Sequence, residues 1–319
     1  MRSVRLLFFG FLLICIFGLL AVRGTFLAKG NEKSFQAPET TNRIAAIGSL
    51  RYLPAEEQKA FSAGSAFVPK RPPEPSDWLA QHREPGQTFD QFLRTRRNLF
   101  QPPRVTLYVQ PIGAFENEAA KVLEEVASYA QIFFDAEVRL QNPVAAETLE
   151  LTTRKNPFGG QEQFLSTDVL DWLEKDLPAD AYARIAVTMT DLYPDPTWNF
   201  VFGQASLQER VGVYSFHRYG KAGTPQFLRR CLRVFSHETG HMFTFYHCIH
   251  FECLMNGSNH LEESDRTPLF LCPVCLRKLH AANAFTIRNR YQEMGRFFQG
   301  AGLEAEAIWI DRRLSEIGE

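Results

Sequence analysis

The chain has 319 residues, 45% of them hydrophobic, which is enough to bury a full core in one sizeable domain with extensions. Its 35 basic and 36 acidic side chains nearly cancel, and no basic run or stripe stands out, which excludes nucleic acid as a partner and steering of a strongly charged substrate. Six cysteines placed as these are do not form a disulfide framework, since Cys15 and Cys231 have no obvious partners.

At the N-terminus Arg2 and Arg5 precede an uninterrupted apolar run, Leu6 to Val22, that ends at Arg23. The run is longer than the core of most signal peptides and reaches the lower limit for a bilayer span, and no small-residue cleavage site follows it. Residues 1–30 are therefore expected to tether the protein to a membrane by a single N-terminal helix, with secretion after signal cleavage as the alternative. Basic residues on both sides leave the membrane face undecided. Residues 31–104 are polar and Pro-rich, and KRPPEPSDWL and REPGQTFDQFL suggest an extended segment that wraps the domain, with short helical turns after Ser76 and Thr88.

From Val105 the pattern turns globular, so the main domain is expected over 105–319. VTLYVQ alternates like a strand, and Glu116 to Phe134 repeats apolar residues at helical spacing through Leu123, Val126, Ala130 and Phe134. Thr167 to Leu177 reads as a second amphipathic helix and Ile185 to Met189 as a buried strand. Asn199 to Leu207 and Val211 to Tyr219 read as paired strands, compatible with an exposed antiparallel edge. Thr224 followed by Pro225 opens a helix with Leu228, Leu232 and Phe235 on its apolar side. Two further helices, about 274–298 and 303–317, complete an α/β architecture: a twisted mixed sheet packed on helices, with a helical C-terminus.

The chemistry is concentrated in HETGHMFTFYHCIHFECLM, His237 to Met255, and in LCPVC at 271–275. A helix brings residues i and i+4 to one face, so His237 and His241 can offer imidazole nitrogens to one metal while Glu238, one step round, reaches its bound water. His247 would close the triad and leave the fourth tetrahedral position to water, whose pKa a zinc ion lowers towards about 7. Cys248, Cys253, Cys272 and Cys275 form either a closed, structural zinc site or two disulfides, and the CPVC knuckle beside a second cysteine pair favours zinc. His250, His260 and His280 are read as packing or surface residues, and Cys231 as a small buried hydrophobe. GSNHLEESD, residues 257–265, has no chemical role that spacing assigns.

The run resembles the archaemetzincin family of zinc metallopeptidases, whose pattern is HExxHxxGxxH followed at once by cysteine, then four residues, cysteine, one residue, methionine, and later CxxC. PPEPSDWL and EPGQTFDQF resemble the extension that precedes the catalytic domain in animal members. The resemblance implies a metzincin-like fold with the metal helix under the cleft, and two zinc ions per chain. One would be held by His237, His241 and His247, with Glu238 as proton acceptor and Met255 in the turn beneath the metal. The other would be held by Cys248, Cys253, Cys272 and Cys275. Thr244 stands where the family has glycine, at a helix end that favours φ above zero, so an altered helix end is expected there, and of the three ligands His247 is the one whose placement depends on it. The function expected is hydrolysis of peptide bonds in a peptide or protein substrate. A zinc-stabilised binding protein without turnover is the reading from another class. Substrate preference and oligomeric state stay open.

Overall fold

The computed structural model describes residues 14–16, 35–95 and 98–318. In chain order they form β1 (Ile14–Ile16), α1 (Thr40–Ile47), α2 (Ala55–Phe61), α3 (Trp78–Gln81), α4 (Phe89–Arg94), β2 (Thr106–Ile112), α5 (Glu118–Phe134) and β3 (Glu137–Leu140). There follow β4 (Thr153–Lys155), β5 (Glu162–Leu165), α6 (Ser166–Lys175), β6 (Ala181–Thr188), β7 (Asp191–Tyr193), β8 (Val201–Ser206), β9 (Val211–Ser215) and α7 (Pro225–Met242). The chain ends with α8 (Leu261–Arg266), α9 (Pro273–Ala282), α10 (Ile287–Gly300) and α11 (Glu304–Gly318).

All the strands join one mixed sheet in the order β3-β2-β6-β9-β8-β7-β5-β4, with β1 antiparallel to β8. β3, β2, β6 and β9 pair in parallel, and β8 turns back antiparallel to β9. Alternate side chains of a strand face opposite ways. In β6, Ala183, Ile185 and Val187 join the large core built with α5, α7 and the C-terminal helices, whereas Ala186 joins a second core against α6. A sheet with helices on both faces can bury every residue of a central strand, as β2 and β6 do. α5 presents Val122, Leu123, Val126, Tyr129, Ala130, Phe133 and Phe134 to the core at spacings of three and four.

Several sequence expectations change. The strand expected from Ile185 begins at Ala181, because residues 181–183 already pair with β2 and are buried before β9 joins at Arg184. β8 is not an exposed edge: β9 lies on one side, and β7 and β1 pair on the other. The single helix expected over 274–298 is two, broken after Ala282, where the Asn283 side chain donates to the carbonyls of Phe134 and Asp135 and so ties the break to the end of α5. The membrane-anchored localisation is corrected too. No helix of the described residues is long and apolar enough to cross a membrane, and within the apolar run Ile14–Ile16 is a strand of the sheet. The rest of that run lies outside the described residues.

Residues from Phe35 to Thr95 lie along the folded unit. Pro69 bridges antiparallel to Phe251, with Lys70 N–H on the His250 carbonyl and Glu252 N–H on that of Val68. Lys70 and Arg71 both pair with Glu252. Thr88 caps α4 in a reciprocal box with Gln91. Phe67, Trp78, Phe89 and Phe92 are buried, each burial stabilising by about 1.5–3 kcal/mol.

Candidate metal centres

α7 carries the first two candidate ligands. The Thr224 hydroxyl accepts from Phe227 N–H at 3.2 Å and Pro225 occupies the first turn, so the helix starts where a side chain satisfies its free amides. Thirteen to seventeen residues later His237 and His241 face the same side, buried, with Nε2 atoms 3.1 Å apart. His247 comes from the segment after the helix, and one nitrogen of each of the three rings lies within 4.8 Å of the others.

Each ring is fixed through Nδ1. That of His237 donates to the Leu254 carbonyl at 2.8 Å and that of His241 to the Phe245 carbonyl at 2.6 Å, since a carbonyl oxygen can only accept. That of His247 donates to Glu84 Oε1 at 2.8 Å. The protons sit on Nδ1, and three Nε2 lone pairs converge; the Nε2 of His247 is buried without a hydrogen-bond partner. Burial and the neighbouring histidines push His237 well down, and burial takes His241 to about 3, so both rings are neutral at physiological pH, as a metal ligand must be. An orphaned nitrogen opposite two more neutral imidazoles fits a zinc ion with an open fourth position.

Thr244 has φ +62°, the left-handed conformation the glycine pattern demands, so the threonine adopts the strained turn instead of displacing it. The His247 ring lies with the other two. The Thr244 hydroxyl is buried without a partner. At mid-range, strain of about 1–3 kcal/mol and an unsatisfied hydroxyl costing about 1–3 kcal/mol outweigh the burial of the two side-chain carbons, about 1.6 kcal/mol, and the extra chain entropy of glycine, about 0.5–1 kcal/mol. Thr244→Gly is expected to stabilise the protein by about 1 kcal/mol or more; a lower melting temperature in calorimetry would contradict this.

Met255 packs against α7. A Cβ on Gly240 would lie 2.7 Å from the Met255 sulfur, so glycine is needed mid-helix for the methionine to approach there. The Met255 carbonyl accepts from Cys248 N–H at 2.7 Å, which couples this contact to the cysteines. Cys248, Cys253, Cys272 and Cys275 are buried and free, their sulfurs within 4.8 Å of one another. Burial pushes the Cys253 and Cys272 thiols up, while hydrogen bonds from its three neighbours pull Cys248 down. One thiolate can be solvated by three thiols, but four require a cation; this donor set suits zinc. Asn256 is locked in the same knot, donating to the carbonyls of Cys248 and Phe251 and accepting from Cys253 N–H.

Glu238 lines a shallow cleft with His237, Phe202, Tyr219, Arg233 and Leu261. Arg233 bonds the Asn256 carbonyl and the hydroxyls of Ser258 and Thr267, holding the cleft floor to the segment after Met255. The stretch 257–265, which spacing left without a role, is a clamp: Glu263 accepts from Trp78 N–H at 3.0 and 3.1 Å and from Asn259 N–H at 2.6 Å. Sequence reasoning also missed Glu84, Trp78 and Gln87 as neighbours of the histidine site. Gln87 donates to the Thr244 carbonyl and accepts from Tyr246 N–H. The motif EPGQ held Glu84 and Gln87, but nothing local says which downstream residues they meet.

Two buried histidines on one helix, a glutamate beside the first and a third histidine within reach are the side chains a zinc metallopeptidase needs, and the relatives of this chain place it in that class of peptide hydrolases. The profile of Peptidase family M54 matches residues 146–281. The chain is 33% identical to Archaemetzincin-2 of Macaca fascicularis, over 85% of this chain and 87% of that one. It is 36% identical to Archaemetzincin-2 of Rattus norvegicus, over 78% and 80%. The crystal structure of archaemetzincin from Methanopyrus kandleri, 24% identical, superposes with a TM-score of 0.47, covering 58% of this chain and 98% of that one. The chain belongs to the archaemetzincin family.

Proposed function

We propose that His237, His241 and His247 hold a catalytic zinc, that Cys248, Cys253, Cys272 and Cys275 hold a second, structural zinc, and that Glu238 is the general base of peptide hydrolysis. The observation that carries this reading is the convergence of three Nδ1-anchored histidines on one point beside Glu238. Zinc, when bound, makes a coordinated water acidic enough to ionise near neutral pH and polarises the scissile carbonyl. The three Nδ1 bonds hold the rings in the tautomer that leaves Nε2 for the metal. Glu238 takes the proton of the attacking water and returns it to the leaving amine. Phe202, Tyr219 and Leu261 give the cleft beside Glu238 an apolar wall against which one substrate side chain packs. Met255 packs on Gly240, next to His241 in the helix, in keeping with the methionine turn of the family resemblance.

The test is cleavage of an unbiased peptide library by the protein, with Glu238→Ala as control. The parent is expected to cleave, and the variant to keep both zincs while losing about 10²–10⁴-fold in rate, the usual contribution of a general base. Cleavage by the variant at the parent's rate removes Glu238 from the mechanism. No cleavage by a zinc-loaded parent favours the non-catalytic binding protein.

A further inference from the structure

His237 and His241 are oriented by backbone carbonyls, which no side-chain substitution removes. His247 is different. α7 ends at Met242, so no helix backbone fixes this ring, and its Nδ1 is held by a side chain from the other end of the sequence, Glu84. The His247 side chain is 1% exposed and that of Glu84 16%, so water competes little for the bond. The same Glu84 oxygen accepts from Trp78 Nε1 at 2.7 Å. Trp78 is itself fixed on every side: its N–H is on Glu263, its ring stacks on His82 at 3.9 Å, and its edge meets His247 at 5.2 Å. A Cβ on Gly257 would lie 2.6 Å from the indole, so the catalytic segment leaves room for it.

We infer that Glu84 is the positioning residue of the third zinc ligand, aimed by Trp78, so that the N-terminal extension is a working part of the metal centre and not only a wrapping. The inference rests on the reading of His237, His241 and His247 as zinc ligands. A carboxylate on Nδ1–H fixes the tautomer, sets the ring plane so that Nε2 meets the other two nitrogens, and makes that nitrogen a stronger donor. Loss of such a partner typically weakens metal binding about 10- to 100-fold.

The experiment compares the full-length protein with Glu84→Ala, Glu84→Gln and Trp78→Phe. Zinc per chain is followed against a titrated chelator, and the thiolate-to-metal absorption of the cobalt(II)-substituted protein tracks the cysteine site separately. In Glu84→Ala the histidine site is expected to lose affinity by about 10- to 100-fold while the cysteine site and cooperative melting stay as in the parent. Glu84→Gln, which keeps an acceptor oxygen without its charge, should fall between. Trp78→Phe, which keeps the ring but loses the indole N–H, should weaken the histidine site less than alanine at 84. A Glu84→Ala protein that holds both metals like the parent, or loses both together, overturns the inference. If the alanine variant does not fold, unchanged histidine-site affinity in Glu84→Gln overturns it equally. A parent that binds only the cysteine-site metal fails the functional reading itself, and the inference falls with it.

Discussion

His241→Ala leaves a folded protein with one zinc fewer per chain and no detectable peptide hydrolysis. The imidazole lost is one of two on α7 whose Nε2 atoms stand 3.1 Å apart, and the geometry offers no replacement donor at that point on the helix. Without the metal, the attacking water returns from a pKa near about 7 to that of bulk water, and Glu238 alone cannot ionise it. The fold survives because the ring's one other bond is to the Phe245 carbonyl and the helix around it is packed by Phe227, Leu228, Leu232 and Phe235. Elemental analysis of the purified variant checks the assignment, and the parent's zinc content in the variant would sink it.

Cys272→Ser has the larger effect on stability. Cys272 caps α9, its N–H reaches the Cys253 sulfur at 3.3 Å, and its own sulfur is 3.6 Å from that of Cys248. Structural zinc sites contribute about 10–16 kcal/mol in small zinc-folded peptides, comparable with the whole stability of a typical domain, about 5–15 kcal/mol. The variant is therefore expected to melt far below the parent, or not to accumulate folded. Activity falls with it, since Cys248 follows His247 directly and shares a backbone bond with Met255. A variant that melts like the parent would show that the cysteines do not hold a structural metal.

The metal helix was legible because its information is local: Thr224-Pro225 starts it, the apolar spacing shows its buried face, and the i, i+4 histidines name its chemistry. The left-handed turn at residue 244 was legible as well, though not that threonine would accept it. What stayed hidden is what distance in sequence hides. Glu84 has no local pattern that pairs it with His247, and the break after Ala282 is set by Asn283 meeting the end of α5. β6 begins at Ala181 because the distant strand β2 pairs with it from that residue on, which nothing in the local pattern shows. The apolar run near the N-terminus was read by its hydropathy, which says nothing of the pairing of Ile14–Ile16 with β8.

The bond between Glu84 and His247 spans 163 positions of sequence, and that between Trp78 and Glu263 spans 185. At a synthesis rate of about 5–20 residues per second, the extension leaves the ribosome roughly 10–30 s before the histidine it must meet. During that interval Trp78 lacks its contacts with Glu263 and His247, and Phe92 lacks the Phe245 ring it meets in the finished fold. The three histidines can therefore take up their full set of contacts only after residues 78 to 84 and 247 to 263 have both been made.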